Sequence, residues 1–380
     1  MSDLKVLHVS EVHWGGVVSL LREFTAEQAG RGMDVHVLAP DFGPVADGVD
    51  FHEWSIVRSK PWTLPGAIRQ LRALVAELKP DVIHLHSFMA GLVGRLPGVL
   101  PSDVDAAVVY QPHAWSFELY ADKLRPRLVA AAERRAVRRT DVLVTNCQDE
   151  IDQGVSSGIV LPSQPLGVAV DAAHFHPVSE AERDRLRAEH DLGDDRVLVC
   201  VGRLAWQKGQ DLLVAEWERS PLPETTLVLV GPGDADALSA TAPREWDKSI
   251  RWAGEQSDVR PWMWAADLLV LPSRYETVAI VVAEAMSCGV PVVATAVNGA
   301  RETLLDPPGE PCGAVVPLGD MAGLLHEAGR RLDDPTLSRR DATIGRERAE
   351  DRFRPALVGQ RLESAYREAI DHRRSKKDNA

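Results

Sequence analysis

Long apolar runs are absent from this sequence of 380 residues, and none is near the length of about 18 residues that a membrane-spanning helix needs. The N-terminus passes directly into a strand-like run, Lys5–Ser10, so we expect no signal peptide. Cysteine is scarce, and no CxxC pair exists among the four cysteines, Cys147, Cys200, Cys288 and Cys312. We therefore expect buried thiols, no disulfide framework and a reducing, cytoplasmic location.

Basic residues are also in deficit, with 43 Lys and Arg against 56 Asp and Glu and a net charge of −13. A chain this acidic is poorly suited to coat a phosphate backbone, which argues against a nucleic-acid partner. It also lacks a net attraction to an anionic lipid surface, although its composition does not exclude a local basic patch. Hydrophobic residues make up 45% and charged residues 26%, which excludes a disordered or fibrous chain.

What the sequence does contain is an alternation of short apolar runs and helical stretches. Most runs are continuously apolar, as is typical of parallel strands buried on both faces. Ten runs are predicted to be strands: Lys5–Ser10, Asp34–Ala39, Asp81–Leu85, Ala107–Gln111, Asp141–Thr145, Arg196–Gly202, Thr225–Gly231, Ile250–Ala253, Leu268–Pro272 and Pro291–Thr295. Helical patterns such as Ser19–Gly30, Pro65–Leu78 and Leu124–Arg139 lie between them. The alternation predicts an α/β fold of doubly wound parallel sheets.

The alternation is interrupted at residues 162–195, where Pro162, Pro165 and Pro177 precede a charged helix, Glu180–Glu189. Closely spaced prolines predict an interdomain linker, and a chain of this length is expected to hold two domains. We therefore divide the chain into three segments: 1–180, 181–354 and a last helix within 355–380 that could pack on either domain. The two Rossmann-like domains would face a central cleft, where ligands bind at the carboxyl ends of strands.

A first glycine motif follows the first strand. Gly15-Gly16 could let the backbone approach a ligand at the start of a helix, whose free N–H groups suit an anion. A plain strand-to-helix turn is the alternative. The GxGxxG fingerprint is absent there, so NAD is not supported.

Two loops of the second half carry glycine and basic residues. Arg203 and Lys208 follow the strand Arg196–Gly202, and a diphosphate uses both a guanidinium fork and a compact ammonium charge. Two solvated surface cations are the alternative. Gly231 and Gly233 flank a proline after the next strand, where a base or sugar could pack on the backbone, although Gly-Pro-Gly is also an ordinary turn.

Two glutamates give the strongest signal. Glu276 falls in a loop after a strand, and Glu284 falls within the apolar helix that follows. A carboxylate buried among apolar residues is costly without partners, and two sugar hydroxyls would satisfy it. A pairing of Glu284 with Arg301 or another cation is the alternative.

Together these motifs resemble the retaining GT-B glycosyltransferases of family 4 over nearly the whole chain. The motifs that carry the resemblance are Gly202-Arg203-Leu204 with Lys208-Gly209, Gly231-Pro232-Gly233, Glu276-x7-Glu284, and Gly289-Val290-Pro291-Val292-Val293-Ala294. Each is weak alone, but their order and spacing are specific. The resemblance implies a C-terminal domain that holds a nucleotide sugar, an N-terminal domain that holds the acceptor, and a final helix that crosses back to the N-terminal domain.

The resemblance also implies roles for single residues. Arg203 and Lys208 would hold the diphosphate, Glu284 the ribose hydroxyls and Glu276 the donor sugar. Gly16 would lie against the donor phosphate. His113, which follows the strand Ala107–Gln111, resembles the family's histidine near the reacting centre. No cofactor and no metal are expected, because the nucleotide sugar is a substrate and the family uses no DxD motif.

One departure from the family pattern concerns the residues after Glu276. The family usually has Gly-Phe-Gly there, whose backbone N–H groups face the donor, whereas this chain has Thr277-Val278-Ala279. The donor pose or sugar preference could therefore differ.

The chain is acidic and lacks amphipathic basic helices, so we expect a small soluble acceptor. The resembled family includes enzymes that glycosylate aminocyclitols in antibiotic biosynthesis, and the expected donor follows from family frequency alone. Glu11, Asp41 and Glu118 would suit an amine, or are simply solvated carboxylates. The expected donor is UDP-glucose or UDP-N-acetylglucosamine, with GDP-sugars as rivals. A lipid or polysaccharide acceptor, a nucleotide-sugar epimerase and a non-catalytic nucleotide-sugar-binding partner protein stay open.

Overall fold

The structure is a computed structural model that describes residues 4–378 apart from positions 58, 102, 120–123, 278 and 306–308. The chain divides into two units. The first comprises residues 1–169 and 355–380, and the second comprises residues 170–354. The boundary thus falls between Ala169 and Val170 and not near residue 180.

The first unit is built on a parallel sheet of seven strands in the order β3-β2-β1-β4-β5-β6-β7. Its strands are β1 Lys5–Ser10, β2 Asp34–Ala39, β3 Val49–Glu53, β4 Val82–His86, β5 Ala107–Gln111, β6 Val142–Thr145 and β7 Ser163–Pro165. Its helices are α1 Gly16–Gly30, α2 Leu64–Leu78, α3 Ser87–Gly94, α4 Leu124–Ala136, α5 Gln148–Ser156 and the last helix, α14 Pro355–Asp378. Short 3₁₀ turns lie at Pro61–Thr63, Ser116–Leu119 and Val137–Arg139.

The second unit has a parallel sheet of six strands in the order β10-β9-β8-β11-β12-β13. Its strands are β8 Arg196–Val201, β9 Thr225–Val230, β10 Ile250–Gly254, β11 Leu268–Leu271, β12 Val292–Thr295 and β13 Gly313–Val316. Its helices are α6 Glu180–Glu189, α7 Gln210–Arg219, α8 Ala235–Ser239, α9 Arg260–Ala265, α10 Ile280–Ser287, α11 Ala300–Leu304, α12 Met321–Asp333 and α13 Pro335–Arg352, with a 3₁₀ turn at Trp206–Lys208. The predicted fold class, two Rossmann-like parallel-sheet domains, is confirmed.

Three strands of the structure lack a sequence signal: β3, β7 and β13. Each is the outermost strand of its sheet, so it has one paired neighbour and needs no continuous apolar run. Strand β7 contains Pro165, and the carbonyl of Pro162 accepts a hydrogen bond from the N–H of Leu143 at 2.9 Å. Two of the prolines that predicted a linker therefore lie at the edge of the first sheet.

Three of the central strands are each preceded by an aspartate, whose carboxylate accepts a backbone hydrogen bond from the neighbouring strand. Asp81, before β4, accepts the N–H of Lys5 at 2.8 Å, and Asp141, before β6, accepts the N–H of Val108 at 2.9 Å. In the second unit, Asp267 before β11 accepts the N–H of Val197 at 2.7 Å. Each carboxylate thus satisfies a backbone donor at the amino end of a parallel pair.

The last helix belongs to the first unit and packs on α1, β5 and β6. Tyr366 is completely buried there, and Glu363 forms an ion pair with Arg31 of α1 at 2.9 Å. Near the end of the helix, Lys376 lies 3.0 Å from the carboxylate of Asp141. The charged segment that closes the sequence is therefore part of this helix as far as Asp378.

Candidate active site

Three loops at the carboxyl ends of β8, β9 and β11 pack backbone against backbone in the second unit. A Cβ on Gly209 would lie 2.1 Å from the carbonyl oxygen of Pro272, and one on Gly231 would lie 2.4 Å from that of Gly202. Gly233 leaves as little space for a side chain, because a Cβ there would lie 2.4 Å from the Cβ of Leu204. The glycines predicted as substrate-binding, Gly231 and Gly233, therefore bring the loops together.

Gly209→Ala is expected to destabilise the second unit by at least about 3 kcal/mol, because it combines a left-handed backbone with a backbone clash. Its matched control is Gly254→Ala, since Gly254 has the same φ of 72° but open space around a Cβ. The control should lose roughly 1–2 kcal/mol, the cost of the left-handed conformation alone. Urea unfolding measures both, and equal losses would show that the loop contact is unimportant.

Lys208 and Glu276 lie next to each other at the ends of β8 and β11. The Lys208 Nζ is 2.7 Å from Glu276 Oε1, which also accepts a hydrogen bond from the hydroxyl of Ser273 at 2.7 Å. Glu276 is buried, and Lys208 is partly exposed. The structure thus brings together two residues that the sequence placed on a diphosphate and on a donor sugar.

A second ion pair holds these loops, and sequence reasoning missed it. Arg274 donates two hydrogen bonds of 2.7 Å to the carboxylate of Asp211 on α7. Its guanidinium also donates to the carbonyl of Trp206 at 2.6 Å and stacks over that ring at 5.1 Å. The side chain of Gln207 donates to the carbonyl of Tyr275 at 3.1 Å. These contacts fix the loop that carries Glu276, and no spacing in the sequence links positions 211 and 274.

Glu284 has a different environment from Glu276. It lies on α10 and is half-buried, and its carboxylate has no hydrogen-bond or ion-pair partner among the residues that the structure describes. Arg301, the partner considered from the sequence, is exposed and makes no ion pair with it. Burial raises the pKa of Glu284 to about 7, and the charge of Lys208 opposes that rise. The carboxyl group is therefore placed to gain from a ligand.

Three other predicted donor-side residues, Arg203, Thr277 and Ala279, follow strands β8 and β11 along the chain. Arg203 is exposed in the loop after β8. Ala279 precedes α10 with a φ of −81°, and Thr277 also has an ordinary negative φ, so neither position requires glycine. The departure from the family's Gly-Phe-Gly therefore introduces no left-handed strain at these two positions. Val278 lies outside the described residues.

In the first unit, Gly15 and Gly16 open helix α1. Gly15 has a φ of 80° and supplies no side-chain cap, and a Cβ there would meet nothing within 4 Å. The N–H groups at the start of this 15-residue helix follow directly after β1. The position agrees with an anion-facing loop, and the role of Gly16 stays a prediction.

His113 lies at the end of β5 in a network of buried histidines. Its Nε2 is 2.9 Å from Nδ1 of His86, and Nε2 of His86 is 2.9 Å from Nδ1 of His8. Burial lowers the pKa of His113 to about 3 and that of His8 to about 4, and it holds the pKa of His86 well below its usual range. All three imidazoles are therefore neutral at physiological pH.

The buried histidines predict a loss of stability in acid. A group whose pKa is lowered by folding stabilises the fold fully above its unfolded pKa of about 6.5, and that contribution is lost as the pH falls towards the folded value. We expect the wild type to lose more unfolding free energy between pH 7 and pH 5 than His8→Gln does. The control is His326→Gln, an exposed histidine on α12, which should retain the wild-type slope. Urea unfolding at several pH values measures the slopes, and an identical slope for His8→Gln would contradict the account.

The acidic residues assigned to the acceptor have separate environments. Glu11 is buried, and its two carboxylate oxygens accept the N–H groups of Met89 and Ala90 at 3.0 Å each, which caps helix α3. Glu118 is exposed in the 3₁₀ turn Ser116–Leu119, and Asp41 is exposed and accepts the N–H of Gly43 at 2.9 Å. Glu11 thus has a role in the fold, and the contacts of all three with an acceptor stay predictions.

Comparison with known proteins decides the family. Residues 195–334 match the family model described as glycosyl transferases group 1, and residues 15–163 match the glycosyl transferase 4-like domain. The chain is 30% identical over 320 residues to the 2-deoxystreptamine N-acetyl-D-glucosaminyltransferase of Streptomyces fradiae, which covers 78% of this chain and 71% of that protein. The chain belongs to the GT-B glycosyltransferases of the family 4-like type. This glycosyltransferase is also 32% identical over 248 residues to D-inositol 3-phosphate glycosyltransferase 1 of Catenulispora acidiphila, covering 58% of this chain and 56% of that one.

Solved structures share the fold of the glycosyltransferase. Sucrose-phosphate synthase from Thermosynechococcus elongatus superimposes with a TM-score of 0.82 at 22% identity, over 96% of this chain and 99% of that chain. The Anabaena protein HepE, in complex with UDP and glucose, gives a TM-score of 0.80 at 20% identity, over 95% and 98% of the two chains. At these identities the likeness shows the GT-B fold alone. Among the described residues of the glycosyltransferase, none of its helices has the length and apolar character for crossing a bilayer.

Proposed function

We propose that this glycosyltransferase moves a sugar from a UDP-sugar to a hydroxyl of a small soluble acceptor, with retention of configuration and without a metal ion. The observation that carries the proposal is the carboxyl group of Glu284, which burial holds at a pKa of about 7 and which has no partner among the described residues. The two hydroxyls of a ribose would supply two hydrogen bonds to this carboxylate. A nucleotide therefore removes the cost of burying it.

Two cations in the loop after β8 suit the rest of the donor, and the charge of one of them, Lys208, acts on Glu284. Lys208 contributes a compact charge, and Arg203 in the same loop contributes a planar fork of donors, the combination that a diphosphate uses. Glu276 holds Lys208 at 2.7 Å and would itself meet hydroxyls of the donor sugar. The four side chains, Glu284, Arg203, Lys208 and Glu276, would thus align ribose, diphosphate and sugar along the carboxyl end of one sheet.

The same cations explain how the reaction would proceed without a metal. The bond from the sugar to the diphosphate breaks through an oxocarbenium-like transition state, and negative charge develops on the leaving group. Fixed positive charge from Arg203 and Lys208 stabilises that charge more in the transition state than in the bound substrate. The acceptor hydroxyl would attack from the face that the diphosphate leaves and would give its proton to a phosphate oxygen of the departing diphosphate; this same-face attack retains the configuration.

The choice of donor and acceptor is supported by relatives. HepE, which shares the fold, is named in complexes with UDP and with UDP-glucose. One relative acts by its name on 2-deoxystreptamine and others on D-inositol 3-phosphate, and both acceptors are cyclitols. A cyclitol acceptor, amino-substituted or phosphorylated, therefore fits the family members that this chain resembles. A further relative is named as a GDP-mannose-dependent phosphatidylinositol monomannoside mannosyltransferase, so GDP-sugars and a lipid acceptor belong in the test.

The test is mass spectrometry of the protein incubated with UDP-glucose, UDP-N-acetylglucosamine or GDP-mannose, with and without 2-deoxystreptamine, inositol 3-phosphate or phosphatidylinositol. The expected result is one hexosyl or N-acetylhexosaminyl mass added to a soluble cyclitol, with release of UDP. The NMR coupling constant of the product's anomeric proton then shows whether the linkage is α, as retention requires. Glu284→Gln is the control for donor use. Conversion of the donor to an isomer without acceptor would favour an epimerase. Binding without any product would favour a non-catalytic partner protein, and transfer to the lipid alone would overturn the soluble acceptor.

A further inference from the structure

A continuous chain of buried side chains crosses the first unit from the last helix to His113. The hydroxyl of Tyr366 accepts a hydrogen bond from Nε2 of Gln28 at 3.2 Å, and Gln28 Oε1 is 2.8 Å from Nε2 of His8. His8 Nδ1 is 2.9 Å from Nε2 of His86, whose Nδ1 is 2.9 Å from Nε2 of His113. Five side chains from helices α1 and α14, strands β1 and β4 and the loop after β5 are thus linked in series.

The chemistry of Gln28 gives this chain a direction. An amide oxygen can only accept, so the proton of His8 lies on Nε2 and its Nδ1 is an acceptor. A neutral imidazole carries one proton, and therefore His86 donates from Nε2 to His8 and accepts at Nδ1 from Nε2 of His113. Burial keeps the three rings neutral, so no ring has a second proton that would break the order.

The chain ends on an atom without a partner. Nδ1 of His113 is buried and has no hydrogen-bond partner among the residues that the structure describes, and the whole residue is 7% exposed. The backbone there is unusual, because His113 has a φ of 51° and Ala114 a φ of 138° without being glycine. Backbone strain of this kind is retained where the surrounding structure imposes it, and it is common at functional sites. The unpartnered lone pair at Nδ1 is therefore a place for a ligand donor.

We propose that Gln28, His8 and His86 form a tautomer relay that holds the proton of His113 on Nε2 and presents its Nδ1 as an acceptor for a substrate hydroxyl. The relay residues are positioning residues, since they act through His113. That the hydroxyl belongs to a sugar or a cyclitol rests on the proposed function. The tautomer of His113 does not, and it can be measured without any substrate.

A metal site is the alternative interpretation of the histidine cluster His8, His84 and His86. Ring nitrogens of His8, His84 and His86 lie within 4.8 Å of one another. Both nitrogens of His8 and of His86 are already used in the relay, and Nδ1 of His84 is 2.9 Å from the hydroxyl of Tyr366. A metal ion would have to break the hydrogen bond between His8 and His86, so the geometry favours the relay.

The experiment is long-range ¹H–¹⁵N correlation spectroscopy of the full-length protein with ¹⁵N-labelled histidine. This spectrum shows which ring nitrogen carries the proton, and the signals are assigned by removing one histidine at a time. The expected result is the Nε2–H form for His8, His86 and His113, unchanged by EDTA. Protonation of His113 on Nδ1 would overturn the relay, and so would a coordination shift of these signals when zinc chloride is added.

Variants at the start of the relay test its coupling to His113. Gln28→Met removes the amide that sets the direction, and Tyr366→Phe removes one hydroxyl with less effect on packing. Both are expected to give His113 a mixture of tautomers and to lower kcat about tenfold, the equivalent of one lost hydrogen bond, with unchanged affinity for UDP. Gln70→Met is the control, because Gln70 accepts hydrogen bonds from Ser55 in the same unit and is not part of the relay. If both variants keep the His113 tautomer of the wild type, the relay is contradicted. If the wild-type protein shows the expected tautomers but transfers no sugar, the proposed function is contradicted instead.

Discussion

Replacement of both Arg203 and Lys208 by alanine is expected to slow sugar transfer by at least about 10³-fold. Removal of one preorganised donor to a developing anion costs about 10²–10³-fold in other enzymes, and here two donors to one leaving group are lost. Because the charges act on the leaving diphosphate, most of the loss should appear in kcat and less in the KM for the donor. Steady-state release of UDP with a saturating acceptor measures both constants.

The matched control is Arg219→Ala with Lys248→Ala, which removes the same two charges from exposed positions of the same unit. It should transfer at the wild-type rate. Among the described residues, loss of Lys208 leaves the Ser273 hydroxyl as the one side-chain hydrogen-bond partner of the buried Glu276 carboxyl, so the melting temperature is measured in parallel. A folded double variant that retains more than a tenth of the wild-type kcat would refute the diphosphate site.

Glu284→Gln is expected to weaken UDP binding by roughly 10- to 100-fold. Hydrogen bonds to a charged group contribute about 1.5–3 kcal/mol, and the amide retains one acceptor but loses the charge. Isothermal titration calorimetry with UDP measures the change. Glu347→Gln, an exposed glutamate on α13, is the control and should bind as the wild type does.

The pH dependence of binding separates this role from a general loss of charge. Burial raises the pKa of Glu284 to about 7, and two ribose hydroxyls require the ionised form. The affinity of the wild type for UDP should therefore fall as the pH decreases from 8 to 6, by more than it falls in Glu284→Gln. The phosphate of UDP titrates in the same range and affects both proteins alike, so the difference between them reports Glu284. Parallel curves for the two proteins would contradict the ribose role.

The sequence allowed the donor-side loops to be predicted because their signals are local. Buried parallel strands are continuous apolar runs, and the residues that follow them must lie at the carboxyl edge of the sheet. Lys208 and Glu276 each follow such a strand, and the 2.7 Å contact between them lies at this edge. The edge strands β3 and β7 were not predicted, since a strand with one neighbour needs little apolar character.

Contacts between distant parts of the chain could not be predicted in this way. The pair of Arg274 with Asp211 and the relay from Gln28 to His113 join side chains on different elements. One signal for a histidine cluster does exist, because His84 and His86 are separated by one residue on β4 and so lie on one face of the sheet, although only His86 of the two belongs to the relay. Charge alone also does not separate a ligand-binding carboxylate from one with a role in the fold. The charge of Glu11 suggested an amine ligand, whereas its carboxylate caps helix α3.

A thermal-shift comparison of UDP, GDP, ADP and dTDP, each with and without EDTA, tests whether the protein has a metal-free UDP site. Tight binding raises the apparent stability by an amount set by the ligand concentration over the dissociation constant. We expect UDP to raise the melting temperature more than the other three nucleotides do, and EDTA to leave this rise unchanged. A protein that none of the nucleotides stabilises, or one stabilised only when a divalent metal is present, would contradict this expectation.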